Sequence, residues 1–380
     1  MTKPRILVTG ATGKTGAVVV AELLKAGYPI RAMVRREDGR SARLKAQGAE
    51  IAVADMSDAE RVFDALKDVQ RAYYCPPLDP YMIQGAVAFA IAAKEARLEQ
   101  IVGLTQWLAS PSHPSLMTRQ HWLVDQLFSM TPGVAHTILA PGYFADSYLL
   151  PMGMAVHLGV YPSLFGDSRN APPSNEDIAR VGAAALMDPS RHAGKRYRPT
   201  GPQLLDAEDM AKAIGRAIGR SVKAVPTPAW LFMKAARLFG MPIDTASNIR
   251  YYIDDHKRGA FELGAPTTDV LDVTGRPPED FETIARRYAT APRLRSTLGN
   301  RLREIMQSMR APLSPGFDLE RYDRELRRPF PSEPKFAPDS EVWRREHGLT
   351  NGPAHFSSSD PGGRPLLTGL NAASRAAIET

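Results

Sequence analysis

Near its amino end the chain reads RILVTGATGKTG, residues 5–16: a β-branched run, a glycine-rich loop and the start of a helical pattern. A strand passing into a helix through small residues is a phosphate-binding unit, and two kinds of loop compete for this stretch. Gly13-Lys14-Thr15 ends like the P-loop of nucleotide hydrolases. That loop needs a further glycine five positions earlier to wrap a β-phosphate, and here the position is Val8, inside the strand. The loop is too short to wrap. Gly10, Gly13 and Gly16 fall three apart, as a dinucleotide turn requires. Gly10 permits the tight turn, Gly13 lets the backbone approach a pyrophosphate, and Gly16 lets the helix pack close to the strand. The loop residues Gly10, Ala11, Thr12, Gly13, Lys14, Thr15 and Gly16 are therefore expected to hold a dinucleotide cofactor.

The pattern behind the loop supports this. Strands are expected over 5–9, 29–35, 50–54, 71–75, 100–104 and 134–139, with helices over 17–26, 41–47, 59–66, 81–96 and 115–130. Strands separated by helices pair in parallel through right-handed crossovers. The expected class is α/β, a Rossmann-type doubly wound parallel sheet. Beyond it, residues 142–173 read as irregular. Ser174 to Asp177 form a capping box that opens a helix to 187. An extended stretch at 195–200 and helices over 207–219, 230–239, 245–256 and 278–288 follow. The expected organisation is a nucleotide-binding domain over 1–150 and a smaller α/β substrate domain over 151–290, interleaved with the first. Residues 291–310 read as a basic amphipathic helix with Leu294, Leu298, Leu302, Ile305 and Met309 on one face. Packing onto its own domain is expected in preference to a partner chain or a membrane surface. Residues 311–380 read as an extended Pro-rich tail, partly irregular or draped over the body.

Composition removes several function classes. Hydrophobic residues make up 43%, enough for a substantial core. The single cysteine, Cys75, excludes an intramolecular disulfide and a cysteine-built zinc site. His113 and His136 have no evident ligand partners in sequence, so no metal site is expected. No apolar run reaches membrane-spanning length, and MTKPRILVTG has no signal-peptide architecture, so a cytoplasmic location is expected. The net charge of +7 is spread along the chain. It fits an anionic cofactor better than nucleic acid. Self-association stays open.

The end of the second expected strand reads the adenosine ribose. NAD sites often place an acid there to accept from the 2′-hydroxyl. This chain has Arg35-Arg36. Two guanidiniums clamp a 2′-phosphate, so NADPH is expected over NADH, with Lys14 as a further positive charge. Asp55 and Met56, after the third strand, are expected at the adenine.

The motifs VTGATGKTG, RAMVRR, GAEIAVADMSD, HTILAPGYFADS and NEDIARVGAAALMDP…AGKRYRPTGPQLLDAEDMAKAIGRAIGR, in this order, resemble the NmrA-like family. This is an atypical branch of the short-chain dehydrogenases/reductases, and the likeness spans about residues 3 to 290. The resemblance implies a Rossmann domain with a smaller carboxy-terminal domain, and NADP(H). Family members include quinone reductases, phenylpropanoid reductases and a redox-sensing regulator that binds dinucleotide without turnover, so enzyme and sensor both stay open.

Typical short-chain reductases use a Ser after strand five, then a Tyr and a Lys four residues apart. Here Thr105 follows strand five, Met117 replaces the Tyr and His121 the Lys. A thioether cannot donate a proton, so the tyrosine mechanism is missing. His121, with Asp125 one turn later, resembles the His-x-x-x-Glu of quinone-reductase-like members. His121 is expected to bind the nicotinamide ribose or supply a proton, and Asp125 to orient it. A helix-surface pair without chemistry is the competing reading. Pro76-Pro77 are expected under the nicotinamide ribose, and Pro141, Gly142 and Tyr143 at the nicotinamide and substrate wall. A quinone-like or conjugated small-molecule acceptor needs little acid help, because its reduced form is a stabilised phenolate. Cys75 is expected to be an ordinary buried strand thiol rather than a redox group. Trp107 and Trp122 either face the cleft or fill core.

Overall fold

The computed structural model describes residues 3–327 and 329–349. The part of the expected tail beyond 349 lies outside them. The central strand β1 (Ile6–Val8) is fully buried and pairs in parallel with β2 (Ile30–Val34) on one side and β4 (Arg71–Tyr74) on the other. Val8 stands level with Ala32 and with Tyr73. β3 (Glu50–Val53), β5 (Gln100–Leu104), β6 (Ala135–Leu139) and β8 (Arg196–Tyr197) complete the sheet, in the order β3-β2-β1-β4-β5-β6-β8. Every pairing is parallel. Strand order reverses between β1 and β4, and the crevice beyond their carboxyl ends is where such sheets bind ligands.

Both faces of the sheet are covered, which is why β1 reads as an unbroken apolar run and β2 is buried throughout, its one charge, Arg31, paired with Glu50. On one face α1 (Lys14–Lys25) packs with the helix Asn175–Met187, burying Val19, Val20 and Leu23 against Ala179, Ala183 and Leu186. The Ser174 hydroxyl caps the second of these helices by accepting from the Asp177 amide. On the other face lie α3 (Ala59–Leu66), α4 (Met82–Glu95) and α5 (Leu116–Ser129). There Tyr74 meets Phe89 and Phe128 at 4.9 and 4.8 Å between ring centres. Between α1 and α3 runs α2 (Gly39–Ala46), capped by Asp38.

Residues 142–173 are more ordered than their sequence suggests. They hold two short helices, Ala145–Tyr148 and Met152–Leu158, and β7 (Val160–Ser163). β7 pairs in parallel with β9 (Lys223–Pro226) in a separate two-stranded sheet. These elements are too short for a periodic signal to develop. Tyr148, Met152 and Tyr161 share a core with Ile214 of helix Ala207–Ile218 and with Phe281 and Ile284 of helix Phe281–Ala289.

The basic helix runs from Leu298 to Arg310, later than expected, after a turn of 3₁₀ helix at Pro292–Leu294. It lies against its own body, but not with the whole of the expected face: Leu294 is buried and Ile305 half-buried, whereas Leu298, Leu302 and Met309 are exposed. The chain then folds back over the body. Asp323, in helix Leu319–Glu325, pairs with Arg250 of helix Ile243–Lys257. The Lys335 amide donates to the Ser112 carbonyl at 2.9 Å. Trp343 is completely buried, its ring edge-on to Trp107 at 5.2 Å, and its indole N–H donates to the Trp107 carbonyl at 2.6 Å. Trp122 donates to Glu346 at 3.1 Å. Both indoles singled out in the sequence are thus engaged by the carboxy-terminal strap.

Candidate functional site

The glycine turn is built by steric necessity. Gly10 has φ +60°, the left-handed region, and its carbonyl accepts from the Gly13 amide at 2.8 Å. A Cβ on Gly16 would lie 2.3 Å from the Gly10 carbonyl oxygen and 2.8 Å from its carbon, both backbone atoms that cannot step aside. A Cβ on Gly13 would stand 3.0 Å from the same oxygen. No side chain caps α1 and no acid sits in its first turn, so the helix end stays open to an anion. The Thr9 hydroxyl accepts from the Cys75 amide at 2.8 Å, tying the ends of β1 and β4 across the crevice. The residues present therefore fit a pyrophosphate-bearing cofactor.

Two further ties cross from the loop. Thr15 donates to Asn175 at 2.9 Å. Lys14 forms an ion pair with Asp146, which follows β6. This places the Lys14 ammonium at the β6 side of the crevice. Arg35 and Arg36 lie exposed at the end of β2, and among the described residues neither guanidinium has a hydrogen bond or salt bridge. Asp55 stands nearby. Its carboxylate accepts from the Ser57 hydroxyl and amide at 2.6 and 2.9 Å, which holds it below the usual carboxylate range, with Arg35 adding a smaller pull. Met56 is half-buried, and a Cβ on Gly85 would stand 3.1 Å from its Cβ.

Pro76 is buried and Pro77 half-buried after β4. Burial pushes the Cys75 thiol up to about 11. At pH 8 only about one thiol in a thousand is then thiolate. Iodoacetamide should label native Cys75 at least tenfold more slowly than the urea-unfolded chain. Equal rates would mean that the thiol is activated.

Thr105, His121 and Asp125 do come together. The Thr105 hydroxyl lies 3.4 Å from His121 Nδ1 and also faces the Asp125 carboxyl. Asp125 makes no hydrogen bond to His121, so Thr105 stands where a direct orienting contact was expected. Burial lowers His121 to about 4, leaving a neutral imidazole at pH 7. Burial raises Asp125 to about 7, against the opposing pull of Arg196, whose guanidinium is 3.7 Å away. Asp125 Oδ2 is buried without a hydrogen-bond partner. The acid of this trio near neutral pH is the carboxyl and not the imidazole.

The Pro141 carbonyl accepts from the Trp107 amide at 2.9 Å, fixing the loop after β6 to the loop after β5. A Cβ on Gly142 would touch Phe261 at 3.3 Å. Tyr143 sits among Tyr148, Tyr252 and His256, with ring centres 5.0 to 5.7 Å apart. Burial raises its hydroxyl to about 12, which suits a wall better than an acid.

Sequence reasoning missed the roof. Helix Ile243–Lys257 crosses this region and is pinned by hydrogen bonds from Tyr252 to Gln106, from Ser115 to Asn248 and between Tyr148 and His256. His113, without an evident partner in sequence, lies completely buried against Asp255 of the same helix at 2.8 Å. The sequence of this helix carries only generic periodicity, so nothing marked it as a roof. The cleft between Pro80, Met117, Gln120 and Tyr251 has a volume of about 20 Å³, room for about one water. Among the described residues no three His, Cys, Asp or Glu side chains converge to hold a metal, and no helix is long and apolar enough to cross a membrane.

A parallel sheet with its glycine turn at the β1–β4 reversal defines a Rossmann-type protein of the dinucleotide-binding class. The chain matches the NmrA-like family over residues 2–103. It is 31% identical to an NAD(P)H azoreductase of Xenophilus azovorans over 291 residues, which is 75% of this chain and 98% of that one. The chain belongs to the NmrA-like family. Its fold is similar to that of an NADPH-dependent quinone oxidoreductase of Escherichia coli solved with NADPH, with a TM-score of 0.66 at 23% identity, covering 74% of this chain and 99% of that one. It is also similar to NmrA, a negative transcriptional regulator solved with NADP, with a TM-score of 0.62 at 16% identity, covering 75% and 95%. About a quarter of this chain has no counterpart in the azoreductase.

Proposed function

We propose that the chain is an NADPH-dependent oxidoreductase acting on a quinone-like or otherwise conjugated small molecule. The observation that carries the cofactor part is the pairing of a sterically enforced glycine turn with two unpaired arginines at the end of β2. Gly10 to Gly16 would hold the pyrophosphate through backbone amides, and Arg35 and Arg36 the 2′-phosphate. Asp55 and Met56 would meet the adenine, and Pro76, Pro77, Pro141 and Gly142 the nicotinamide half. When bound, NADPH supplies a hydride. Thr105 fixes the imidazole, Tyr143 closes the wall, and Asp125 holds a proton behind the Thr105 hydroxyl. The absence of a tyrosine acid favours an acceptor whose reduced form is already a stabilised anion. The azoreductase and quinone oxidoreductase relatives agree with that class.

The arginine clamp is tested by calorimetry. Arg35→Asp should lower NADPH affinity by about tenfold or more while leaving NADH within about threefold. An unchanged ratio would reassign the clamp. Turnover is tested by following NADPH oxidation with a panel of quinones and azo dyes. A second reading, a non-catalytic NADP(H) sensor, is favoured by the narrow cleft of about 20 Å³ beneath helix Ile243–Lys257, which is pinned to the loop after β5 through Tyr252 and Gln106. Micromolar NADPH binding with no oxidation by any acceptor would select the sensor.

A further inference from the structure

The helix Leu298–Arg310 sits on the body the wrong way round for an ordinary surface helix, whose apolar stripe turns inward. Here the less exposed side is mostly polar, with Ile305 its one apolar residue. Glu304 reaches Gly153, and the Ser308 hydroxyl is buried. The outward face carries Leu298, Leu302, Met306 and Met309, continued by Leu313 just beyond the helix. They are 73, 50, 58, 69 and 87% exposed. Successive spacings of four, four, three and four residues keep them on one line. Trp230, 57% exposed, lies near the end of this row: the Lys234 ammonium sits 5.5 Å from its ring centre and donates to the Pro312 carbonyl at 2.7 Å.

The row is flanked by positive charge. Arg301 lies on one side and Arg303 and Arg310 on the other, all exposed. Between Arg293 and Leu313 there are five arginines and one acid, Glu304, which is turned inward. An exposed apolar patch of this kind marks an interaction site. Its chemistry selects the partner. A second copy docked about a two-fold axis would set arginine against arginine. An anionic lipid surface satisfies both features, taking the leucines and methionines into the acyl boundary, the tryptophan at headgroup level and the guanidiniums onto phosphates.

We propose that the outward face of helix Leu298–Arg310, with Leu313 and Trp230, docks the protein on anionic membrane surfaces. The proposal rests on this face alone and is independent of the cofactor chemistry. It is tested by co-sedimenting the full chain with phosphatidylcholine vesicles, with and without about one-third phosphatidylglycerol. Binding should appear with the anionic vesicles, fall with added salt and be weak with neutral ones. The double variant Leu302→Glu/Met306→Glu should lose at least about tenfold of that partitioning, and Arg301→Glu/Arg303→Glu should lose the preference for anionic vesicles. All four side chains are exposed, so circular dichroism should be unchanged. Failure to sediment with anionic vesicles would overturn the proposal, as would binding that survives both double variants. Light scattering that finds a dimer dispersed by Leu302→Glu/Met306→Glu would assign the face to a second copy instead.

Discussion

In the Gly16→Ala protein, NADPH binding measured by calorimetry should fall by about 30-fold or more. The added methyl would start 2.3 Å from the Gly10 carbonyl oxygen, 2.8 Å from its carbon and 3.2 Å from Ala11 Cα. All three are backbone atoms of the turn itself. Relief requires α1 to move away from β1 by about an ångström, at a cost of about 2 kcal/mol or more, and the helix end leaves its place at the pyrophosphate. Thr15 and Lys14 move with it, so the ties to Asn175 and Asp146 are strained as well. Gly39→Ala is the matched control. Its Cβ meets open space and its backbone is ordinary, so affinity and stability should hold within error. Unchanged NADPH affinity in Gly16→Ala would mean that the turn does not hold the cofactor.

Acidification should be the second large effect. Burial lowers His121 to about 4 and His136, His256 and His347 to about 3, with Arg196 contributing at His136 and His347. Each is neutral in the fold and protonates near 6.5 once unfolded. The unfolded chain therefore binds more protons below that value, and stability falls as pH falls from 6.5 toward the folded values. At pH 5 each histidine costs about 2 kcal/mol. Asp125 runs the other way. Its folded value of about 7 lies above the unfolded one, so protonating it between pH 7 and 5 stabilises the fold and offsets about one histidine. A net loss of about 6 kcal/mol is comparable with the whole stability of a typical domain. The urea midpoint at pH 5 should lie far below that at pH 7. A midpoint independent of pH over this range would show the imidazoles to be in contact with water.

The glycine turn and its neighbours could be read from the sequence because their constraints are local. Spacing alone sets which carbon would collide with the Gly10 oxygen, and the alternation of strands and helices sets which strand ends flank it. The trio of Thr105, His121 and Asp125 was legible for the same reason, one strand end and one helix turn. What escaped is carried by long-range contacts. Lys14 meets Asp146, 132 positions later, and Trp343 reaches back 236 positions to Trp107. Neither partner carries a mark in sequence. The basic helix shows a third kind of limit. Periodicity establishes that Leu298, Leu302 and Met309 share a face, but not which way the face turns, and these three turn outward while Leu294 before them is buried.

The buried Trp343 has a bearing on how the protein is made. The loop bearing Thr105 and Trp107 emerges from the ribosome well before the indole that covers it, which is encoded 236 codons after Trp107. Until synthesis passes that codon, Trp107, Phe261 and Leu108 lack their cover, and a nascent chain displays an oily face to chaperones. A stop at codon 343 would remove the indole, spare every strand of the nucleotide-binding sheet and still produce a sticky protein.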